Sequence, residues 1–129
     1  MKKTAVLIDD DQDDLDILEE VIREIDESVV IRPYVMCDKA LQDISDDLDS
    51  VPHYIFIDLN MPKIAGDDCL KQLRTNPKFH KSTITVLSTS MPDSVARALK
   101  SLGADFTFQK PSSLSTYYNI LKNILSVKN

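Results

Sequence analysis

The chain has 129 residues, of which 43% are hydrophobic and 28% are charged, and this size and composition predict one folded domain with its own core. Acidic residues outnumber basic residues by 21 to 15, and the resulting formal net charge of -6 argues against nucleic-acid binding. The apolar runs are far shorter than the roughly 20 residues of a membrane span, and the N-terminus lacks a signal-peptide core, so we expect a cytoplasmic protein without membrane contact.

Short apolar runs alternate with longer segments of helical period, a pattern that predicts repeated βα units around a parallel sheet. The predicted strands cover residues 4–9, 29–34, 54–58, 83–88 and 105–109. The predicted helices cover residues 13–25, 39–48, 67–74, 93–102 and 113–127. Gly66 stands at the start of the third helix, and Gly103 follows the fourth, where a left-handed residue commonly ends a helix. We therefore expect an α/β fold.

The cysteines and histidines are isolated in the sequence. Two cysteines are too few for the disulfide framework of a small secreted domain, which favours a reducing compartment. We expect Cys37 and Cys69 to be semi-buried, small apolar residues rather than reactive thiols. His53 and His80 lack neighbours in a metal-binding pattern, so we assign both to the surface or to structural contacts.

Polar side chains follow the C-terminal ends of four predicted strands. They are Asp9, Asp10 and Asp11 after the first strand, Asp58 at the third, Ser88 and Thr89 at the fourth, and Lys110 after the fifth. Ligands of an open parallel α/β sheet bind beyond the carboxyl ends of its strands. We therefore expect these side chains to converge at one edge of the sheet.

Carboxylates held close together repel one another, so the acids indicate a divalent cation, a bound lysine or raised pKa values. Mg²⁺ fits best, because it prefers oxygen ligands and is typically held by one or two carboxylates together with a phosphate. This favours phosphoryl chemistry with Asp58 as the nucleophile. Lys110 would neutralise phosphoryl oxygens, and Ser88 would donate a hydrogen bond to one of them.

Several short motifs occur in order at the ends of these strands. They are VLIDDD at 6–11, IDLNMP at 57–62 followed by Gly66, VLS at 86–88, GAD at 103–105 and KP at 110–111. Together they resemble the receiver domain of two-component response regulators, in its stand-alone, chemotaxis-regulator-like form, over essentially the whole chain. The resemblance implies a flavodoxin-like, doubly wound parallel sheet of five strands in the order 2-1-3-4-5 with five helices. It also implies a single receiver domain over residues 1–129 with no output domain.

The same resemblance implies a role in phosphorelay signalling. A sensor histidine kinase or a histidine phosphotransfer protein would donate a phosphoryl group to Asp58. The chain would not be an enzyme beyond catalysing its own phosphorylation and dephosphorylation. Phosphorylation would change a surface formed by helix 4, strand 5 and helix 5, which a downstream protein would bind.

Residue roles follow from the matching motifs. The metal ligands would be Asp10 directly, Asp9 mainly through a water, Asp58, and the backbone carbonyl of Asn60. Ser88 matches the hydroxyl switch position, and Lys110 matches the phosphate-pairing lysine, in a peptide bond to Pro111 that is often cis in the family. Thr107 stands where the family usually has an aromatic switch residue, and strand alternation directs Phe106 and Phe108 to the opposite face.

Three other functions have partial support in the sequence. Asp9 and Asp11 resemble the Asp-x-Asp start of haloacid-dehalogenase-type phosphatases, although Asp13 stands where that family has threonine or valine. The spacing of Asp9, Asp11, Asp13 and Glu20 also fits an EF-hand loop, but Asp14 replaces its required glycine. A third alternative is an inert pseudo-receiver that only docks partners.

Overall fold

The computed structural model describes residues 2–47, 51–61 and 64–127, in which five strands alternate with five helices. The strands are β1 (Thr4–Ile8), β2 (Val30–Tyr34), β3 (Tyr54–Asp58), β4 (Thr83–Ser88) and β5 (Phe106–Gln109). The helices are α1 (Gln12–Ile25), α2 (Cys37–Asp46), α3 (Gly66–Arg74), α4 (Asp93–Ser101) and α5 (Leu114–Leu125). Two residues of the sequence predictions lie outside the described residues. They are Leu48, at the end of the second predicted helix, and Pro62, in the motif after the third predicted strand.

The strands form one parallel sheet in the order β2-β1-β3-β4-β5, which confirms the predicted doubly wound fold. Neighbouring strands end nearly level, since Asp58 pairs with Leu87 and Ser88 pairs with Gln109. β2 contains Pro33 and lies at an edge, where a missing N–H donor interrupts no ladder. The level strand ends place the predicted site residues at one edge of the sheet.

Each face of the sheet is covered by its own group of helices. Residues of β1, β3 and β4 alternate between the faces, as the two-residue period of a strand requires. One core contains Ile55 and Ile57 and is covered by α2, α3 and α4. The other contains Tyr54 and Phe56 and is covered by α1 and α5. α1 buries Leu15, Leu18, Val21 and Ile22, whereas α4 buries Leu99.

The amino-terminal edge of the sheet is held by Arg74, at the end of α3. Its guanidinium donates to the carbonyls of Gly103 at 2.7 Å, Phe79 at 2.9 Å and Ser82 at 3.1 Å. It also donates to Asp105 Oδ2 at 2.6 Å, and this oxygen accepts a further bond from the N–H of Ile84. Phe79 belongs to a 3₁₀ turn at Pro77–Phe79 and is fully buried. One side chain therefore connects α3, the 3₁₀ turn, β4 and the turn before β5.

The predicted role of Gly103 is confirmed, because its φ is 113° and it follows α4 directly. Space restricts it as well, since an added Cβ would lie 2.6 Å from Cγ of Arg74. The cis form predicted for the bond between Lys110 and Pro111 is wrong, because the described residues contain no cis peptide. This bond has the trans geometry that proline residues ordinarily prefer.

The cysteine prediction needs correction. Cys37, at the start of α2, and Cys69, in the first turn of α3, form a disulfide with a Cα–Cα distance of 6.2 Å. Both are buried in the core beneath these helices, so the expected apolar surroundings are present. The two residues are 32 positions apart, and only the packing of α2 against α3 brings them within bonding reach. The cysteines therefore no longer support a reducing compartment.

Candidate functional site

The predicted site residues meet at the carboxyl edge of the sheet. Asp9 follows β1, Asp58 ends β3, Ser88 ends β4 and Lys110 follows β5. The backbone holds these ends together, since the N–H of Lys110 donates to the Ser88 carbonyl at 2.7 Å and the N–H of Leu59 donates to the Leu87 carbonyl at 2.9 Å. Convergence therefore follows from the parallel topology and the level strand ends.

Three acids of this edge form a compact group of oxygen donors. Asp9, Asp10 and Asp58 each offer a carboxylate oxygen, and these oxygens lie within 4.8 Å of one another. Asp9 and Asp58 are buried, with 1% and 4% of their surface exposed, whereas Asp10 is exposed. Hard oxygen donors on the rim of a solvent-open edge fit a divalent cation that keeps some of its waters. These residues could therefore hold such an ion.

The ammonium of Lys110 lies inside the same group. Its Nζ is 3.1 Å from Asp9 Oδ2, 3.1 Å from Asp58 Oδ1 and 2.7 Å from Asp14 Oδ2. The Lys110 side chain is only 10% exposed, so these ion pairs are poorly screened by water. Burial opposes its charge, but hydrogen bonds and charge from the three carboxylates outweigh this and raise the pKa of Lys110.

The carboxyl groups are destabilised in their charged forms despite the lysine. Burial, the charge of Asp9 and, to a smaller extent, Asp10 raise the pKa of Asp58 to about 6, and Lys110 opposes this shift. Burial also raises the pKa of Asp9 against the opposing effects of the Asp11 N–H and Lys110. Negative charge therefore exceeds positive charge at this edge, and a cation would relieve the excess.

Ser88 is oriented by two donors. Its hydroxyl oxygen accepts from Nδ2 of Asn60 at 2.9 Å and from the N–H of Ser90 at 3.3 Å. A hydroxyl has one proton and two acceptor positions, so both acceptor positions are used and the proton remains to be donated. Ser88 is buried, whereas Asn60 lies exposed on the loop after β3. The side chain of Asn60 thus has a contact that the sequence did not indicate.

Gly66 brings α3 against the end of β3. A Cβ at this position would lie 2.5 Å from the carbonyl oxygen of Asp58 and 2.6 Å from Cα of Leu59. The N–H of Gly66 also donates to the Leu59 carbonyl at 2.9 Å. Only glycine permits this approach of backbone to backbone, so Gly66 helps to fix the position of Asp58.

Thr107 lies half-buried in β5, and the aromatic residues beside it face away from it. Phe108 belongs to the core beneath α1 and α5, and Phe106 packs against that core. Their predicted direction is therefore confirmed. Phe108 also packs edge to face against Tyr117 of α5, with ring centroids 6.1 Å apart.

Asp11 and Asp13 do not join the acidic group. Asp11 is the N-cap of α1, and its side chain accepts from the N–H of Asp13 at 2.9 Å. Asp13 lies exposed within the first turn of a continuous helix. Neither an Asp-x-Asp pair of facing carboxylates nor an EF-hand loop is formed by these residues.

Asp14 belongs to the site, although the sequence did not place it there. It lies in the first turn of α1 and forms the shortest of the three Lys110 contacts. One signal was available, because Asp14 precedes Leu18 by four residues and Val21 by seven, and both of these are buried. A carboxylate on the core-facing stripe of a helix must find a partner, and here the partner is Lys110.

No helix in the described part of the chain has the length and apolar character needed to cross a bilayer. Residues 5–122 match the family model of the response regulator receiver domain. The chain is 27% identical over 128 residues to response regulator Rcp1 of Synechocystis sp., covering 96% of this chain and 87% of Rcp1. It spans 60% or less of the length of the stress response regulator proteins from yeasts that it also matches.

Solved structures show the same fold. The phosphorylated cyanobacterial phytochrome response regulator RcpA superimposes with a TM-score of 0.87 at 23% identity, covering 100% of this chain and 98% of RcpA. The Mn²⁺-bound form of response regulator Rcp1 superimposes with a TM-score of 0.78 at 25% identity, covering 96% of this chain and 92% of that one. With its family match over residues 5–122, its strand order and its acidic edge, the chain belongs to the receiver domain family of response regulators, which act in phosphorelay signalling.

Proposed function

We propose that this receiver accepts a phosphoryl group on Asp58 from a phosphohistidine of a sensor histidine kinase or a histidine phosphotransfer protein, with Mg²⁺ as cofactor. The position of Asp58 carries this proposal. Its carboxylate is buried, lies 3.1 Å from Lys110, and has oxygens of Asp9 and Asp10 within 4.8 Å. The carboxylate of Asp58 therefore has both a cationic partner and a set of possible metal ligands beside it.

The bonds that form and break in the transfer belong only to the donor and to the carboxylate of Asp58. One oxygen of Asp58 forms a bond to phosphorus while the P–N bond of the phosphohistidine breaks, and the electron pair of that bond leaves with the imidazole nitrogen. Hydrolysis reverses the modification. The oxygen of a water bonds to phosphorus, the acyl phosphate P–O bond breaks, and its electron pair returns to Asp58 as orthophosphate and a proton are released.

The metal would be held by the carboxylates of Asp9, Asp10 and Asp58 and by the backbone carbonyl of Asn60. Mg²⁺, when bound, supplies positive charge to the phosphoryl oxygens. Lys110 supplies a second positive charge, 3.1 Å from Asp58 Oδ1 and directly after the end of β5. Ser88 donates its hydroxyl proton to a phosphoryl oxygen, because Asn60 and Ser90 already occupy its acceptor positions.

The proposed output surface is formed by α4, β5 and α5. In α4, Leu99 is buried and Val95 packs partly buried against the same core, so a change in β5 can move this helix more readily than α1, which buries four residues. Phe108 of β5 packs on Tyr117 of α5, which links these two elements. Thr107 has no aromatic ring that could transmit a movement of Ser88 to the surface. The movement of Ser88 must therefore be transmitted by the packing of β5 against its neighbouring helices.

The test is phosphorylation of the full chain by acetyl phosphate with Mg²⁺, followed by intact mass. We expect the native chain to gain the mass of one phosphoryl group and Asp58→Asn to gain none. Asp68→Asn is the matched control, because Asp68 is an exposed acid at the start of α3. It should react like the native chain. No gain by the native chain would contradict the proposal and support an inert pseudo-receiver. An equal gain by Asp58→Asn would contradict it by assigning the phosphoryl group to another residue.

The donor is tested separately from the chemistry at Asp58. The proposal places the chain in the cytoplasm, with the catalytic domain of its kinase. Purified histidine kinases and phosphotransfer proteins from the same cell, phosphorylated on histidine, should transfer label to the native chain but not to Asp58→Asn. Failure of every such donor, while acetyl phosphate succeeds, would exclude the proposed partners and leave the chemistry at Asp58 intact.

A further inference from the structure

Lys110 is shared between the proposed phosphoacceptor and a residue outside the proposed metal site. An ammonium has three N–H donors, and Nζ of Lys110 has carboxylate oxygens of Asp9, Asp14 and Asp58 within 3.1 Å. The contact to Asp14 is the shortest of the three, at 2.7 Å. Nζ therefore donates hydrogen bonds to Asp9 and Asp14 and forms an ion pair with Asp58 before any phosphoryl group arrives.

Asp14 differs from the other two acids in its surroundings. Its oxygens are not among the cation-donor atoms of Asp9, Asp10 and Asp58, and its side chain, in α1, is 24% exposed. Its hydrogen bond is to the lysine, and its charge adds only a minor part to the pKa of Asp9, which burial chiefly raises. Its charge extends into the core, where burial and, next, the charge of Asp14 raise the pKa of Tyr117 to about 12.

A phosphoryl group on Asp58 would bring about -1.5 to -2 charge and strong acceptor oxygens to this place. It would pair with the ammonium of Lys110, which Asp14 already holds by a hydrogen bond of 2.7 Å. Asp14 opposes this exchange, because its carboxylate and the phosphoryl group compete for the same ammonium.

We propose that Asp14 is a positioning residue that competes with the phosphoryl group for Lys110 and thereby slows phosphorylation of Asp58. This rests on the proposed function. In the resting protein Asp14 holds the lysine between α1 and β5. During transfer, Lys110 turns one N–H from a carboxylate to a phosphoryl oxygen, and Asp14 limits how readily it does so.

The experiment measures the rate at which the full chain gains phosphoryl mass from acetyl phosphate with Mg²⁺. We expect Asp14→Asn to react about three- to tenfold faster than the native chain, because the neutral amide that replaces the carboxylate competes only weakly for the ammonium. Asp13→Asn removes the same charge from an exposed neighbour without a Lys110 contact and should change the rate less than about twofold. Asp14→Glu keeps the carboxylate and should restore a rate close to the native one.

A double-mutant cycle decides whether Asp14 acts through the lysine. In a Lys110→Met background, Asp14→Asn should change the rate less than about twofold. An equal acceleration in both backgrounds, or equal effects of Asp13→Asn and Asp14→Asn, would overturn the inference. If the native chain gains mass at Asp58 while these outcomes occur, the proposed function stands and only the role of Asp14 fails. Urea unfolding of each variant identifies any variant that is not folded. If Asp14→Asn is not folded, Asp14→Glu still tests the proposal, because its phosphorylation rate must be as slow as that of the native chain.

Discussion

A partly buried cation lies at each of the two edges of the sheet, but the two cations are used differently. At the amino-terminal edge, the guanidinium of Arg74 donates to three neutral carbonyls and one carboxylate. At the carboxyl edge, the ammonium of Lys110 contacts three carboxylates, with the carboxylate of Asp10 close to two of them. At the amino-terminal edge, Arg74 donates to neutral carbonyls and to one carboxylate that balances its charge. At the carboxyl edge, the carboxylates outnumber the single ammonium of Lys110.

This difference separates stability from function. Arg74 satisfies backbone groups at the ends of several elements, so every contact it makes favours the folded chain. Burial and, next, the charge of Asp9 raise the pKa of Asp58, and burial raises the pKa of Asp9, so the folded chain is less stable with both carboxylates charged. The carboxyl edge can gain stability from a cation, and this is what makes it a binding site.

The largest expected effect is at the amino-terminal edge. Arg74→Met should lower the free energy of unfolding by about 2–4 kcal/mol, because three carbonyls and the Asp105 carboxylate lose their donor. Urea unfolding measures the change. Lys71→Met, an exposed site on the same helix, is the charge-matched control and should change stability by less than about 0.5 kcal/mol. A similar loss in both variants would mean that the hydrogen bonds of Arg74 add nothing beyond its charge.

The opposite sign is expected at the carboxyl edge. Without divalent metal and near neutral pH, Asp58→Asn should raise the free energy of unfolding by about 1–3 kcal/mol, because the pKa of Asp58 is raised from 3.8 to about 6. Urea unfolding in EDTA measures this gain. Added Mg²⁺ should reduce it, because the ion stabilises the native chain more than the variant. A variant less stable than the native chain in EDTA would refute the view that this edge is strained by charge.

The pH dependence follows from the same shift. A carboxyl with a higher pKa in the folded state binds protons more readily there, so Asp58 destabilises the fold above a pH of about 6. This cost disappears as the pH falls through 6 toward 3.8, and Asp9 acts with the same sign. Over this range the native chain in EDTA should gain stability relative to Asp58→Asn. Parallel pH profiles of the two proteins would show that Asp58 has an ordinary pKa.

Between the two edges, β4 contains a buried hydroxyl that has no partner among the described residues, Oγ1 of Thr85. Thr85→Val keeps the shape and removes this polar atom, so it should stabilise the fold by about 1 kcal/mol. Ser82→Ala, at the amino-terminal edge, should have the opposite effect, because Oγ of Ser82 donates to the Pro52 carbonyl at 2.6 Å. Thermal unfolding distinguishes the two, and a destabilised Thr85→Val would show that its hydroxyl is satisfied in solution.

The smallest effect is expected from Asn60, at the rim of the carboxyl edge. Asn60→Ala removes the donor that orients the Ser88 hydroxyl, so the phosphorylated chain should lose its phosphoryl group about two- to tenfold faster. The decay of intact phosphorylated mass after removal of the donor measures this. Asn119→Ala is the control, because Asn119 is also an exposed asparagine but lies in α5. Unchanged decay in Asn60→Ala would show that Asn60 does not orient Ser88 in the phosphorylated state.

Much of this molecule could be predicted from local sequence patterns. The bounds of β3 and β4 agree with the predicted ranges, and α1 begins one residue earlier than predicted. The convergence of Asp9, Asp58, Ser88 and Lys110 was also predictable, because parallel strands place their C-terminal ends at one edge. Hydrophobic periodicity and chain direction contain this information, and both are properties of short segments.

Other features depend on which segments pack together, and only the tertiary structure decided them. Distant residues are joined by the Cys37–Cys69 disulfide, by the bonds of Arg74 to Gly103 and Asp105, and by the contact between Asp14 and Lys110, over 29 to 96 positions. The other two partners of Arg74, Phe79 and Ser82, are near neighbours in the chain. Local helix and strand propensities cannot predict contacts between residues so far apart in the sequence. The sequence alone therefore determined the order of elements and the acids at the strand ends. Packing determined which charge meets which partner, because ion pairs depend on distances of a few ångströms that close only in the folded chain.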